Sequence, residues 1–200
     1  MRIADKLAGG QTFSFEIFPP KGEMPLECAY AVASEMAADR PDWISVTYSA
    51  GGSGNSANTV PIAASIERDL GVTALAHLTC LGSTRADVDA YVAALDGAGI
   101  ENVLALRGDR APGREERDFA HASDLIAYLR GRGCDLCIGA ACYPEGHVES
   151  PSEQESFESL YKKQEAGADY LVSQLFFDNE DFYRFREKCL RHRVRLPVVA

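Results

Sequence analysis

Short apolar, β-branched runs recur along the chain at an even interval. They begin near Thr12, Asp42, Val72, Glu101, Asp135, Ala168 and Arg195. Successive starts differ by 30, 30, 29, 34, 33 and 27 residues, which is the length of one strand and one crossover helix. The spacing predicts six βα units followed by the start of a seventh strand.

Between these runs, the apolar spacing changes to that of a helix. Ile62, Ile66 and Leu70, for example, fall on one helical face. Thr84-x-x-Asp87 and Ser152-x-x-Glu155 predict capping boxes, in which two side chains satisfy each other's unpaired backbone donors. Glycines at positions 97, 99, 131, 133 and 167 predict helix ends. No proline-rich or charged linker divides the chain, so we expect one domain over residues 1–200.

Strands that are apolar throughout and alternate with helices predict a parallel sheet buried on both faces. A doubly wound sheet and a (β/α)8 barrel both satisfy this description. We favour the TIM barrel because no G-x-G-x-x-G motif follows the first strand, and because polar residues follow nearly every strand, where the loops of a barrel share one site. Eight units at this period need about fifty more residues. We therefore expect a barrel that lacks its last one or two βα units.

Composition and charge restrict the binding partners and the cellular location that we expect for this protein. Twenty basic and thirty acidic side chains give a net charge of −10, which disfavours binding to nucleic acid or to anionic lipid. The amino terminus has no apolar signal-peptide core, and the longest uncharged stretch, 43–66, is too polar to span a membrane. The six cysteines lie mostly in apolar runs. We expect reduced thiols in a cytoplasmic protein.

Chemically versatile residues stand where the predicted strands end. They comprise two acids, two imidazoles, one guanidinium and one amide, at Glu16, Asp109, His77, His147, Arg107 and Gln174. If these positions are the carboxyl ends of barrel strands, one mouth collects all of them. The pattern predicts a single polar site at that end of the barrel.

Glu16 interrupts an otherwise apolar strand, Phe13 to Phe18. An ionised carboxylate inside such a strand is costly, so we expect Glu16 to be partly desolvated and its pKa to be raised. A carboxyl with a raised pKa suits a general acid at neutral pH. The alternative is a buried ion-pair partner without a catalytic role.

Six of these segments together resemble one enzyme family. FSFEIFPPK, VTY-x-AGGS, AHLTC, LALRGD, YPEGH and QLFFD are similar, in order and spacing, to segments of the 5,10-methylenetetrahydrofolate reductases. Those enzymes are flavoproteins built on a (β/α)8 barrel, and the resemblance covers about residues 13–199. It implies the reduction of 5,10-methylenetetrahydrofolate to 5-methyltetrahydrofolate, with hydride passing through N5 of FAD. Such an enzyme acts in one-carbon metabolism and methionine biosynthesis, with NADH or NADPH as electron donor.

The resemblance also implies individual roles. Glu16 would be the acid that assists opening of the folate's imidazolidine ring. Asp109 would be a second catalytic residue, which faces both flavin and pterin and tunes the flavin, and Gln174 would bind the pterin. The implied FAD-binding residues are Thr47, His77, Arg107, Gly108, Asp109, Tyr143, His147 and Lys163. Two positions depart from the family pattern: Ser49 replaces a glycine, and Ser156 stands where some members place an acid that touches the FAD ribose.

Two other hypotheses remain open at the level of sequence. Glu16, His77, Asp109 and His147 could bind a divalent metal for hydrolysis, although no H-x-H pair supports this. An incomplete barrel exposes two strand edges, so the chain could also be a non-catalytic fragment or subunit. We expect a small-molecule folate substrate, no nucleic acid or membrane partner, and a homo-oligomer, with electrons arriving from a nicotinamide or through a partner subunit. Cys134-x-x-Cys137 lacks the second pair that a zinc site requires.

Overall fold

The computed structural model describes residues 1–20, 22, 24–48, 58–110 and 116–200. Strands and helices alternate along these residues. The strands are β1 (Ser14–Ile17), β2 (Trp43–Val46), β3 (Thr73–Thr79), β4 (Asn102–Leu106), β5 (Cys137–Cys142), β6 (Tyr170–Ser173) and β7 (Val198–Val199). The helices are α1 (Ile3–Gly9), α2 (Leu26–Ala38), α3 (Thr59–Arg68), α4 (Arg85–Gly97), α5 (Ala122–Gly131), α6 (Glu153–Glu165) and α7 (Asn179–Arg191). Each strand begins within three residues of its predicted start.

These strands form one sheet in which every pair is parallel and the spatial order is the sequence order, β1 to β7. A doubly wound sheet reverses its strand order at a switch point, and this sheet does not. Because neighbouring strands twist in one direction, the sheet curls into part of a barrel with the helices outside. The prediction of a TIM-barrel class is confirmed.

The two faces of the sheet bury different clusters, because successive strand residues point to opposite sides. The larger cluster lies between strands and helices and includes Ile44, Val46, Ala74, Ala76, Val103, Ala105, Ile138 and Leu171. The smaller cluster lies inside the barrel and consists of Ile3, Trp43, Leu75, Leu104, Cys137 and Tyr170. Ser45 and His77 follow Trp43 and Leu75 on the same inner face, two residues nearer the carboxyl ends. The inner face is therefore apolar at its amino end and polar at its carboxyl end.

Helix α1 covers the amino end of the barrel interior, a feature that the sequence patterns did not predict. Ile3 is fully buried, and its backbone N–H donates to Oδ1 of Asn102 at 2.8 Å. The Asn102 amide nitrogen donates in turn to the carbonyls of Met1 (3.1 Å) and Ala74 (3.3 Å). One buried amide thus joins the first residues of the chain to two central strands.

Of the two predicted capping boxes, one is complete and the other is half formed. Thr84 and Asp87 form the full capping box at the start of α4. At α6, the Ser152 side chain accepts a hydrogen bond from the backbone of Glu155. The reciprocal bond, from the Ser152 backbone N–H to the Glu155 carboxylate, is not formed, so that prediction is half right. Gly99, Gly133 and Gly167 follow the ends of α4, α5 and α6 with positive φ, as predicted for C-terminal caps.

In the structure the six cysteines are free thiols. Cys137 of the C-x-x-C sequence is buried inside the barrel, where its sulfur accepts a hydrogen bond from the backbone of Ala4 at 3.4 Å. Among the helices that the structure describes, none is long and apolar enough to cross a membrane.

Candidate active site

A cavity of about 1040 Å³ opens at the carboxyl ends of the strands and extends from β1 to α6. Its lining includes all but one of the residues proposed from sequence: Glu16, Thr47, His77, Arg107, Gly108, Asp109, Tyr143, His147 and Lys163. The exception is Gln174, which follows β6 with an exposed side chain and a backbone N–H bonded to the carbonyl of Cys142. The predicted shared mouth therefore exists, and Gln174 lies outside the cavity lining.

Glu16 differs from its prediction in burial and in pKa. Its side chain is 47 % exposed, because the inner face of β1 opens into the cavity while the Ile17 side chain packs toward the helices. The pKa of Glu16 is lowered rather than raised. The interaction with the His77 ring is the largest cause, burial opposes it, and the Ser45 hydroxyl adds to the lowering. The ligand-free carboxyl is therefore ionised at neutral pH.

His77 and Ser45 surround the inner side of that carboxylate. Nε2 of His77 lies 3.4 Å from Oε2 of Glu16, and the Ser45 hydroxyl lies 3.2 Å from the same oxygen. The His77 contact falls outside good hydrogen-bond geometry, and Nε2 has no other hydrogen-bond partner among the described residues. A buried imidazole nitrogen in this state is poised to receive a partner from the cavity.

Thr47 lies directly after the carboxyl end of β2. Its backbone N–H donates to the Ile17 carbonyl, and its own carbonyl accepts from the Thr59 hydroxyl at 3.1 Å. These bonds fix the Thr47 backbone beside β1. The glycine-rich segment of the sequence motif, including Ser49, lies within 49–57 and outside the described residues, as does Lys21.

Arg107 and Gly108 follow β4 directly. Nε of Arg107 donates to the Gly108 carbonyl at 3.1 Å, while Nη2 pairs with Glu149 at 2.8 Å. Gly108 has φ of +91°, and a Cβ at this position would lie 3.2 Å from Cβ of Thr79. The ion pair of Arg107 with Glu149 joins two loops of the cavity, and Asp109 stays exposed.

Tyr143 and His147 pack together after β5, with ring centroids 4.5 Å apart in an edge-to-face contact. Nδ1 of His147 accepts a hydrogen bond from the backbone of Glu149 at 3.1 Å. Desolvation and the nearby Arg107 lower the pKa of His147, so the ring is neutral at pH 7 and Nε2 carries the proton. Burial also raises the pKa of Tyr143, which keeps its hydroxyl protonated.

Lys163 projects from α6 into the deep part of the cavity. Its ammonium donates to the Ala141 carbonyl at 2.8 Å. Part of its surface faces the open cavity, yet protein surrounds the ammonium closely enough that desolvation lowers its pKa to about 8. Lys162 lines the same cavity, so Lys163 shares this wall with a second cation. Ser156 also lines the cavity, at the position where some members of the family have an acid.

Three lining or supporting residues had no role in the sequence analysis. Ser45 contacts Glu16, Glu149 pairs with Arg107, and Arg110 lies 3.8 Å from Glu149. A signal for Ser45 existed in the strict alternation of β2, which places it on the inner face with Trp43. Glu149 and Arg110 lie in irregular loops, where no periodic pattern identifies a partner.

The structure weighs against a metal site. Among the residues it describes, no group of three or more histidine, cysteine, aspartate or glutamate side chains is arranged to hold an ion. Glu16, His77, Asp109 and His147, the four proposed ligands, are all described and do not form such a group. The metal-dependent hydrolase hypothesis therefore has no geometric support.

Comparison with known proteins adds a family to this geometry. A family model described as methylenetetrahydrofolate reductase matches residues 2–200. Methylenetetrahydrofolate reductase 1 of Schizosaccharomyces pombe is 34 % identical over 209 residues, covering 99 % of this chain and 34 % of that protein. Methylenetetrahydrofolate reductase (NADH) 1 of Arabidopsis thaliana is 35 % identical over 100 % of this chain and 37 % of its own length. The 5,10-methylenetetrahydrofolate reductase of Salmonella typhimurium is 32 % identical over 97 % of this chain and 64 % of its own length.

Solved structures support the fold. A Clostridium thermocellum protein that binds two copies of 5-methyl-5,6,7,8-tetrahydrofolic acid matches with a TM-score of 0.72 and 13 % identity, over 100 % of this chain and 68 % of that one. Phosphonopyruvate hydrolase matches with a TM-score of 0.67 and 14 % identity, over 98 % and 69 %. At such identities the likeness concerns the fold alone. The chain spans about a third of the eukaryotic relatives and just under two thirds of the Salmonella protein.

Proposed function

This chain belongs to the methylenetetrahydrofolate reductase family, and on that basis we propose that it reduces 5,10-methylenetetrahydrofolate to 5-methyltetrahydrofolate with FAD as cofactor. One observation carries the proposal: a carboxyl group, Glu16, and a cationic wall containing Arg107 and Lys163 line the same cavity. The first can exchange a proton with a substrate, and the second can hold an anionic cofactor.

The described residues fit FAD on three counts. The buried Nε2 of His77 is without a hydrogen-bond partner among them and borders the cavity. Gly108 lacks the side chain that would narrow the turn after β4. Arg107 and Lys163 supply the positive charge that a diphosphate requires. A cofactor with an aromatic ring system and two phosphates matches this set of groups.

We assign FAD binding to Thr47, His77, Arg107, Gly108, Asp109, Tyr143, His147 and Lys163. When bound, FAD supplies the hydride from its N5 position. Arg107 and Lys163 neutralise the diphosphate, and Tyr143 and the neutral His147 offer a flat surface and a donor hydrogen. Asp109 would supply a negative charge to this site, which would disfavour anionic forms of any group bound there.

Glu16 acts as the acid in this proposal. A substrate that covers its exposed side removes water from the carboxylate, and this desolvation raises the Glu16 pKa from its lowered ligand-free position. The carboxyl then takes up a proton and donates it to a nitrogen of the imidazolidine ring. As that nitrogen gains the proton, its bond to the methylene carbon breaks, and the remaining iminium can accept hydride.

Gln174 is proposed to bind the pterin through its amide, which both donates and accepts hydrogen bonds. Since its side chain is exposed, it has to turn toward the cavity when substrate arrives. We further propose a single catalytic domain over residues 1–200, in a cytoplasmic homo-oligomer acting in one-carbon metabolism and methionine biosynthesis. NADH is the first electron donor to test because the Arabidopsis relative carries that name, with NADPH and a partner subunit as alternatives.

Anaerobic half-reactions test the proposal. The purified protein is expected to bind FAD, to be bleached by NADH or NADPH, and to regain its colour on addition of 5,10-methylenetetrahydrofolate. Glu16→Gln is expected to leave bleaching near normal and to slow the folate step by about 10²- to 10⁴-fold. Glu27→Gln, which removes an exposed carboxylate on α2, serves as the control.

Two results would contradict the proposal. Equal loss of both half-reactions in Glu16→Gln would show that Glu16 is not the acid. The other result is a wild-type protein that binds no flavin and fails to reoxidise reduced flavin when 5,10-methylenetetrahydrofolate is added. That result would support the non-catalytic subunit hypothesis.

A further inference from the structure

We propose that Ser45 and His77 are positioning residues that hold Oε2 of Glu16, so that the other oxygen, Oε1, carries the proton given to the substrate. The inference deepens the proposed function and rests on it. The two oxygens of one carboxyl group then have different roles: one is anchored to the barrel wall and the other faces the cavity.

The geometry singles out one oxygen. The Ser45 hydroxyl lies 3.2 Å from Oε2, and Nε2 of His77 lies 3.4 Å from Oε2. Glu16 and Ser45 are paired in the β1–β2 register, and His77 lies on the inner face of the next strand. Three adjacent strands therefore converge on Oε2, while the structure shows no contact of this kind for Oε1 among the residues it describes.

The two anchoring groups are more deeply buried than the group they hold. Ser45 is 5 % exposed and the His77 side chain 7 %, against 47 % for Glu16. The backbone of His77 is further fixed, since its carbonyl accepts from the Tyr91 hydroxyl at 2.9 Å. A rigid inner wall and a solvent-facing carboxyl are the arrangement expected for a group whose direction matters.

The position of the proton follows from which oxygen faces the barrel wall. The Ser45 hydroxyl and the His77 ring both lie against Oε2, on the inner side of the carboxyl. A proton taken up by Glu16 therefore resides on Oε1. The Ser45 hydroxyl also lies 3.4 Å from the Phe15 carbonyl, so its one hydrogen has two acceptors within reach, of which Oε2 of Glu16 is the nearer.

Other ionisable groups lie farther around the cavity. Arg107 and Asp109 follow β4, and His147 follows β5. Of the ionisable side chains in the described part of the chain, His77 is the one whose interaction lowers the Glu16 pKa, with the Ser45 hydroxyl as the other side-chain contributor. A change at Ser45 should therefore be visible directly in the titration of Glu16.

The test is a titration of the full chain without ligand, with glutamate labelled by ¹³C at the carboxyl carbon and followed by NMR. Glu16→Gln identifies the Glu16 signal as the one that disappears. Ser45→Ala is expected to raise the Glu16 pKa, because the ionised form loses a donor. Ser45→Thr, which keeps the hydroxyl, should restore it, and Ser34→Ala on the exposed side of α2 should leave it unchanged. An unchanged or lowered pKa in Ser45→Ala would overturn the inference.

The folate half-reaction supplies the second readout. Ser45→Ala is expected to slow it about tenfold, the effect of losing one hydrogen bond to a charged group, with flavin reduction nearly as in wild type and with partial recovery in Ser45→Thr. If Ser45→Ala does not fold, His77→Gln takes its place in the titration, where a raised Glu16 pKa is again expected and an unchanged one contradicts the inference. A wild-type protein without folate activity would refute the proposed function, whereas the titration judges the anchoring by itself.

Discussion

Nη2 of Arg107 lies 2.8 Å from Oε2 of Glu149, so the main cation of the cavity is already paired before a ligand binds. Arg110 approaches the same carboxylate oxygen at 3.8 Å. The pair joins the loop after β4 to the loop after β5. Glu149 therefore competes with any anion that uses Arg107.

Glu149→Gln is expected to tighten FAD binding about two- to fivefold, because removing an exposed partner frees the charge of Arg107 for the diphosphate. The dissociation constant can be measured by flavin fluorescence. Glu145→Gln removes an exposed charge from the same loop without touching Arg107 and should have little effect. Weaker binding in Glu149→Gln would mean instead that Glu149 holds the guanidinium in its binding position.

The pKa of about 8 for Lys163 predicts a pH dependence of cofactor affinity. The ammonium attracts phosphate only when protonated, so affinity should be high below pH 8 and fall as the pH rises through it. The expected loss is about tenfold between pH 7 and pH 9. Titration of FAD into the protein at several pH values measures it. Lys163→Met should bind weakly at every pH and flatten this dependence, whereas an unaltered slope in that variant would assign the dependence to another group.

Gly108→Ala is expected to destabilise the fold by about 2 kcal/mol, half from the positive φ and half from crowding against Thr79. Gly146 has a similar φ of +88° but open space where a Cβ would lie. Gly146→Ala should therefore cost about 1 kcal/mol, the backbone part alone. Urea unfolding of both variants separates the two effects. Equal losses would show that Thr79 moves aside at no cost.

Asn102→Ala is expected to destabilise the protein by about 2–4 kcal/mol, because it leaves the buried N–H of Ile3 without an acceptor and opens a cavity. Amide hydrogen exchange in α1 should accelerate in parallel. Asn179→Ala, at the exposed start of α7, should change stability by less than about 0.5 kcal/mol. Loss of stability without faster exchange in α1 would show that Asn102 acts on the strands rather than on the helix.

The strands were predictable because burial on both faces leaves a continuous apolar run, and each run from β1 to β7 lies within three residues of its expected start. The gathering of Glu16, His77, Arg107 and Lys163 in one cavity followed from the same regularity, since parallel strands that close in order bring their carboxyl ends together. Residues that are about 30 positions apart in the sequence, one βα unit, therefore become neighbours in space.

The sequence could not predict how exposed an individual strand residue is, nor the contacts that residues in loops make. Glu16 lies between apolar residues that point away from it, so its neighbours in sequence suggested burial where its neighbours in space leave it half open. Helix α1 has seven residues and no cap signal, and its stability comes from Ile3 meeting distant strands. Glu149 reaches Arg107 across 42 positions of sequence, between two loops without periodic structure.

The contacts of Ile3 bear on how the protein folds as well as on its final structure. Its partners Leu104, Cys137 and Tyr170 lie more than one hundred positions after it in the sequence, so helix α1 docks only once β4, β5 and β6 have come together. Such long-range closure slows folding. It also means that helix α1 stays undocked in any folding intermediate that lacks β4, β5 and β6.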